Sequence, residues 1–518
     1  MLSLADWLTA HSVYLDRRIE LVQGPAGLHV VALAEIAPFE TIGTIPKSLV
    51  LSHRTSSLAR EQVSLELLDT HSPALRLAVH VLYELCQRAE SRWYGYLDHS
   101  PQETVSIALL WRETAPAREW IRGTDLERQL ERTAISVVRK LFCSGPAPIS
   151  DKTYEIGRRQ ESLARIFETT VRPLFAAIPS GFAPTLDQFF HAYSLVSTRA
   201  FQVDAYHWLA LVPLADAFNH LSPGENHVQF ASDTWVCPEC GALDECLHDV
   251  GRSEEPSAIE IERSSRAEET CDMVTTGEPI SPGQELFNSY GPLSNARLIA
   301  EYGFALEANE WDQISFDRDQ VARVLRQYLD TLIPAPVDRS SATGIEEMVQ
   351  QDEEEHPLIA MPTTSREEGL YFDADAKLSR ALWLSIALQS IDAYYSSNIQ
   401  IERLESASKT AQKVARELLR IAIAVEDGDD ATETGECTIL IEHVYSSVIE
   451  VIARTVLDLC QARIDEQCRP ELSGSDLLDL ADIEHDDKMK LAIGYLASER
   501  LLIERVVEKW EAVIAFLS

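Results

Sequence analysis

The chain has 518 residues, with 45 Lys plus Arg against 83 Asp plus Glu and a formal net charge of −38. Its length exceeds what one ordinary hydrophobic core holds, so two or three domains are expected, and 45% hydrophobic with 25% charged residues is a soluble globular composition. So acidic a surface repels phosphate backbones, which argues against nucleic-acid binding; it either favours a basic protein partner or simply keeps the protein soluble. No apolar run reaches the length of a membrane span, and the start of the chain lacks the basic flank and apolar stretch of a secretion signal. A cytoplasmic or nuclear monomer is therefore expected.

Residues 1–20 read as an amphipathic helix. Residues 27–46 alternate and break like two short strands around a turn, and Leu49 to Ser52 continue this small β-unit. From about residue 57 to 200 the spacing becomes helical. Leu75, Val79, Leu82 and Cys86 share one face, with Trp93, Tyr94 and Tyr96 as packing partners, and Thr185 is placed to cap a helix that runs to Arg199. β-like sequence returns at 211–236 and at about 257–289, separated by a polar insertion bearing cysteines. Beyond Phe304 the pattern is helical. Ala381, Leu384, Leu388, Ile391 and Tyr395 form one stripe, and Val414, Leu418, Ile421 and Val425 another; such stripes are core faces. The acidic stretches 346–355 and 426–436 are expected to be exposed loops or spacers.

Four places stand out for chemistry. The apolar run from Val212 stops in the polar residues Asp216, Asn219 and His220. A Pro282-Gly283 turn leads through Glu285-Leu-Phe-Asn-Ser to Tyr290 and on to Tyr302-Gly-Phe304, so a tyrosine sits at the corner between a strand and a helical run. Gly27-Leu28 opens a strand, where a glycine permits close backbone approach to a ligand or simply serves a turn. Arg199, beside Ala200 and Phe201, is either a salt-bridging side chain or part of a site.

The nine cysteines are too scattered for a disulfide scaffold, but Cys237-Pro-Glu-Cys240-Gly has the form of a zinc knuckle. Cys246 and His248 would complete a closed, structural Cys3His site. Cys271 is an alternative fourth ligand, and reduced thiols on an exposed loop are the plainer alternative to any metal.

Taken together, the segments ending at His220 and running from Glu285 to Phe304, with Arg199 and Gly27-Leu28, resemble the two halves of a SET-domain active site of the Rubisco large-subunit methyltransferase-like family. The resemblance implies an α+β fold: a split β-rich SET domain over residues 1–56 and 196–305, a helical insertion over 57–195, and an all-α substrate-binding domain over 306–518. The zinc-knuckle-like insertion at 236–270 departs from that pattern. It also implies an S-adenosylmethionine-dependent protein-lysine N-methyltransferase acting on a basic non-histone protein such as a ribosomal protein or elongation factor. A protein-histidine methyltransferase of the same architecture and a non-catalytic scaffold are the alternatives.

On the same resemblance, Gly27, Leu28, Arg199, Asn219, His220 and Tyr290 would bind the cofactor, Tyr290 would be catalytic, and Asp216, Tyr302 and Phe304 would meet the substrate. His29 stands where the family more usually has a second glycine. A lysine amine, with an ordinary pKa of about 10.4, must lose its proton before it attacks. A neighbouring sulfonium and an apolar channel favour that loss, leaving Tyr290 to orient the neutral amine.

Overall fold

A computed structural model of the chain describes residues 3–24, 27–61, 63–131, 160–179, 181–233, 235–243, 246, 248, 269–332, 369–379, 381–383, 385–386 and 438–517. They fall into two compact units, one of residues 1–114 and 128–306, the other of 115–127 and 307–518. Residues 115–127, expected within the helical insertion, thus group with the C-terminal unit. Among the described residues no helix is long and apolar enough to cross a membrane.

The first unit opens with a helix much shorter than expected. Helix α1 spans Leu4–Ala10, started by a reciprocal Ser3–Asp6 capping box. It stops because Ser12 adopts φ 63°, after which the chain turns into strands β1 (Tyr14–Leu15) and β2 (Ile19–Gly24). β2 pairs antiparallel with β3 (Gly27–Ala32), a hairpin partner that alternation alone did not reveal. β4 (Thr41–Pro46), β9 (Val228–Ser232) and β10 (Thr270–Thr275) join β1 in a four-stranded sheet of order β1-β4-β10-β9. β5 (Leu51–Ser52), β6 (Ala200–Gln202) and β7 (Leu209–Leu211) form a second sheet of order β5-β7-β6.

The helical part of this unit follows its apolar spacing. Helix α2 (Pro73–Gln87) starts at Ser72 with Pro at its first position and buries Leu75, Val79 and Leu82, while Cys86 stays half-buried. Trp93 and Tyr96 are buried as expected; Tyr94 is exposed. Helix α3 (Leu186–Arg199) packs against α2. It begins at the Thr185–Gln188 capping box and hands Arg199 directly to β6.

The second unit is helical, with one addition the sequence stripes did not show: β12 (Gln313–Phe316) pairs antiparallel with β13 (Leu370–Asp373). Helices α5 (Arg318–Leu332), α6 (Thr438–Glu466), α7 (Gly474–Ile483) and α8 (Asp487–Leu517) accompany it, whereas α4 (Asn295–Glu301) belongs to the first unit. Ile314, Phe372, Leu382, Ile386, Val456 and Ile503 lie in its core. Ala381 is only half-buried. Leu384, Leu388, Ile391, Tyr395, Val414, Leu418, Ile421, Val425 and the acidic stretches 346–355 and 426–436 lie outside the described residues.

Candidate active site

The centre of the first unit is a short parallel pair, β8 (Asn219–His220) beside β11 (Phe287–Asn288), with Phe287 opposite Asn219 and Asn288 opposite His220. β8 is reached through Leu214, at φ 79°, and a single 3-10 turn over Ala215–Ala217. Two residues past β11 the Tyr290 backbone N–H donates to His220 Nδ1 at 3.0 Å. An amide can only donate, so Nδ1 holds a lone pair and the neutral ring carries its proton on Nε2. Burial lowers the His220 pKa to about 4, which keeps the ring neutral at physiological pH. The Asn219 side chain donates from Nδ2 to Glu285 Oε1 at 2.7 Å, tying the two strands together a second time.

Around this pair the aromatic residues assemble. His220 and Tyr290 stack with centroids 4.8 Å apart, Tyr290 and Tyr302 stack at 5.0 Å, and Phe304 lies 6.1 Å from His220 and 6.3 Å from Tyr302. Local sequence explains the last two positions. Helix α4 (Asn295–Glu301) ends where the amides of Tyr302 and Gly303 both donate to Leu298 O at 2.8 Å. Gly303 takes φ 84°, and a Cβ there would meet Ser106 O at 2.9 Å, so the helix stop requires glycine. Tyr302 and Phe304 flank that stop.

The Tyr290 hydroxyl donates to Phe218 O at 3.3 Å. Burial, opposed by Arg199 and reinforced by Asp216, pushes its pKa up to about 12, so it acts as a neutral hydroxyl. Burial likewise raises Tyr302.

Arg199 and Asp216 meet beside this cluster. Arg199 Nη1 donates to Asp216 O at 2.9 Å and lies 3.3 Å from Asp216 Oδ2. The Tyr96 hydroxyl donates to the same Oδ2 at 2.8 Å. The Asp216 carboxyl is buried, and desolvation raises its pKa despite Arg199 and Tyr96. Asp216, expected to meet the substrate, therefore has its carboxylate taken up by Arg199 and Tyr96 and works as an anchor for the arginine. Arg199 Nε is buried and has no hydrogen-bond partner among the described residues.

Gly27 and Leu28 open strand β3. β3 runs antiparallel to the approach to β11, with Leu286 N donating to Val30 O at 2.8 Å and Val31 bridged to Glu285. This register carries Gly27 and Leu28 toward the end where Tyr290 emerges. β3 also packs on the Ala215–Ala217 turn. Gly27 has φ 114° with open space where a Cβ would stand. The structure thus gathers Arg199, Asp216, Asn219, His220, Tyr290, Tyr302 and Phe304, with the Gly27-Leu28 strand alongside. Sequence reasoning missed Tyr96, Glu285 and the Phe218 carbonyl. Its position marks Tyr96 as a packing aromatic, and no local signal distinguishes a tyrosine whose hydroxyl reaches a carboxylate from one that merely fills space.

Cys237, Cys240, Cys246 and His248 also converge: one ligand atom from each lies within 4.8 Å of the others. Cys271 does not join them. It is buried on β10 with Sγ 3.8 Å from Ser232 Oγ, and burial raises its thiol to about 12.

Comparison with known proteins places this arrangement. No family model matches the chain. It is 27% identical over 372 residues to ribosomal lysine N-methyltransferase 3 of Saccharomyces cerevisiae, covering 59% of this chain and 61% of that one. It is 24% identical over 284 residues to the N-lysine methyltransferase SETD6 of Homo sapiens, covering 54% and 48%. It is 29% identical over 196 residues to the Rubisco large-subunit N-methyltransferase of Nicotiana tabacum, covering 38% and 34%. The matches thus span less than two thirds of these relatives' own lengths. Among solved structures, the SET domain of LSMT bound to lysine and AdoHcy superposes with a TM-score of 0.55 at 15% identity, covering 99% of this chain and 91% of that one. LSMT bound to AdoMet gives 0.53. The fold is therefore that of a SET-domain protein. In sequence the chain is similar to proteins named as lysine N-methyltransferases and to a Rubisco large-subunit N-methyltransferase.

Proposed function

We propose that this protein is a protein-lysine N-methyltransferase that uses S-adenosylmethionine and acts on a basic protein of the translation machinery. The observation that carries the reading is the meeting of Tyr290, His220 and Arg199, drawn from three separate chain segments, beside an aromatic wall. S-adenosylmethionine, when bound, supplies an electrophilic methyl group on a sulfonium. The residues present fit that cofactor. The unpartnered, buried Arg199 Nε suits the acceptor atoms of its amino-acid end, the main chain at Gly27-Leu28 is open to close approach, and the Asn219-His220 segment offers main-chain partners for the adenine.

The remaining chemistry falls to the chain's own groups. A lysine amine entering among Tyr290, Tyr302 and Phe304 leaves water, and that loss favours its neutral form. His220 is uncharged and so adds no competing cation. Tyr290, protonated across the physiological range, cannot serve as a phenolate base; its hydroxyl instead orients the amine for in-line attack, where alignment supplies much of the rate. The aromatic faces suit the methylammonium product. The ribosomal target draws support from the S. cerevisiae relative's name and from the net charge of −38.

The test is methyl transfer from tritiated cofactor to ribosomal and translation-factor fractions of cells lacking this protein, with the modified residue identified by mass spectrometry. Tyr290→Phe should lower kcat by about 100-fold with the fold intact, the range seen when one positioned donor is lost. Wild-type turnover in that variant would remove Tyr290 from the chemistry. A methylated histidine in place of lysine would overturn the assigned nucleophile.

A further inference from the structure

The Cys/His group on the β9–β10 connection has the dimensions of a filled metal site. His248 Nδ1 lies 3.6 Å from Cys237 Sγ and 3.5 Å from Cys246 Sγ. Sulfur and nitrogen donors bound to one tetrahedral zinc at about 2.3 and 2.0 Å stand about 3.5 Å apart. The turn between the first two thiols is closed by its own backbone: Gly241 N donates to Cys237 O and Cys237 N to Ala242 O, each at 2.8 Å.

This knuckle is seated on the SET core. Arg54 donates to Pro238 O at 3.2 Å while its guanidinium lies 5.0 Å from the centre of the Tyr206 ring. The same ring packs against Gly241, where a Cβ would stand only 3.1 Å from it. Buried Lys47 holds both ends of the connection, donating to Asp233 O at 2.9 Å and reaching Glu269 at 3.5 Å, with Asp204 at 2.9 Å on its remaining side.

We propose that Cys237, Cys240, Cys246 and His248 bind one zinc ion whose role is structural: it holds the knuckle on Arg54 and Tyr206. Four protein ligands leave no open position, so the metal activates no water and takes no part in methyl transfer. Binding would convert three thiols to thiolates and release their protons, leaving the imidazole neutral and the centre with a net charge of −1. The inference is independent of the proposed activity, since nothing in it requires the cofactor or the substrate.

Metal analysis of the full chain, purified reduced and without chelator, should find one zinc per molecule. Replacement by cobalt(II) should produce thiolate charge-transfer and tetrahedral visible bands, a readout that needs no variant. Cys240→Ser combined with Cys246→Ser should bring zinc below about a tenth of an equivalent, whereas Cys271→Ser should retain it in full. Chelation should lower the Tm of the wild type but not of the double variant. A reduced wild-type chain that holds no zinc and gives no cobalt spectrum would overturn the proposal, as would full zinc occupancy in the double variant.

Discussion

Tyr96 shows how a residue chosen for packing can also set the electrostatics of a site. Its hydroxyl, 120 positions away in the chain, satisfies one oxygen of the buried carboxyl that holds Arg199. Tyr96→Phe keeps the ring and removes only that donor, leaving Asp216 short of a partner. We expect a loss of about 1–3 kcal/mol in urea unfolding, together with a lower kcat as Arg199 loosens. Unchanged stability would mean that Arg199 alone satisfies Asp216. Tyr290 differs in kind: its ring is packed on both faces, by His220 and Tyr302, but its hydroxyl bond to the Phe218 carbonyl is long at 3.3 Å. In the proposed reaction, a hydroxyl so weakly engaged would exchange that acceptor for the incoming amine.

Two helical elements carry buried charge chemistry away from the site. On α2, His80 is 1% exposed; burial first, and the nearby Arg76 second, lower its pKa from 6.5 to about 3. The native state therefore binds fewer protons than the unfolded chain below pH 6.5. The stability this neutral histidine contributes is complete above that value and is lost as the pH falls toward 3. At pH 5 the loss amounts to about 2 kcal/mol, and His80→Gln should reduce the difference between urea unfolding at pH 7 and pH 5.

On α6, Arg463 pairs with Asp125 and donates from Nε to Glu499 at 2.9 Å, all three being buried. Asp125 in turn accepts from the Ser315 backbone N–H at 2.9 Å. The segment 115–127 thus joins the C-terminal unit through charge. Arg463→Ala would strand two buried carboxylates and should cost about 3–5 kcal/mol, read as a lower unfolding midpoint. An Arg463→Ala midpoint equal to wild type would show that the network contributes nothing net.

At the scale of the whole molecule the dominant property is charge. A net −38 would draw in the basic substrate of the proposed activity and raise its association rate, an effect that salt screens. For a lysine-rich protein substrate, kcat/KM should fall by roughly tenfold between low and physiological ionic strength, where the Debye length is about 8 Å. A short neutral peptide carrying the same target lysine should show little change. Equal salt dependence for both would mean that the acidic surface serves solubility alone.

Much of the architecture was legible locally because local rules produce it. The Thr185 cap, the apolar face of α2 and the Cys-Pro-x-Cys-Gly turn each express a short-range constraint on backbone or spacing. The β2 strand and the β12–β13 pair were not legible, since four- to six-residue strands with mixed burial lack a distinct period, and the end of α1 depended on a positive φ at a serine that no pattern announces. Sequence alone determined which residue types are present at the site and how the segments bearing them begin and end. Only tertiary structure decided that Asp216 serves Arg199, that Tyr96 and Glu285 belong to the site, and that His220 is neutral, because burial and long-range hydrogen bonding depend on what lies nearby in space.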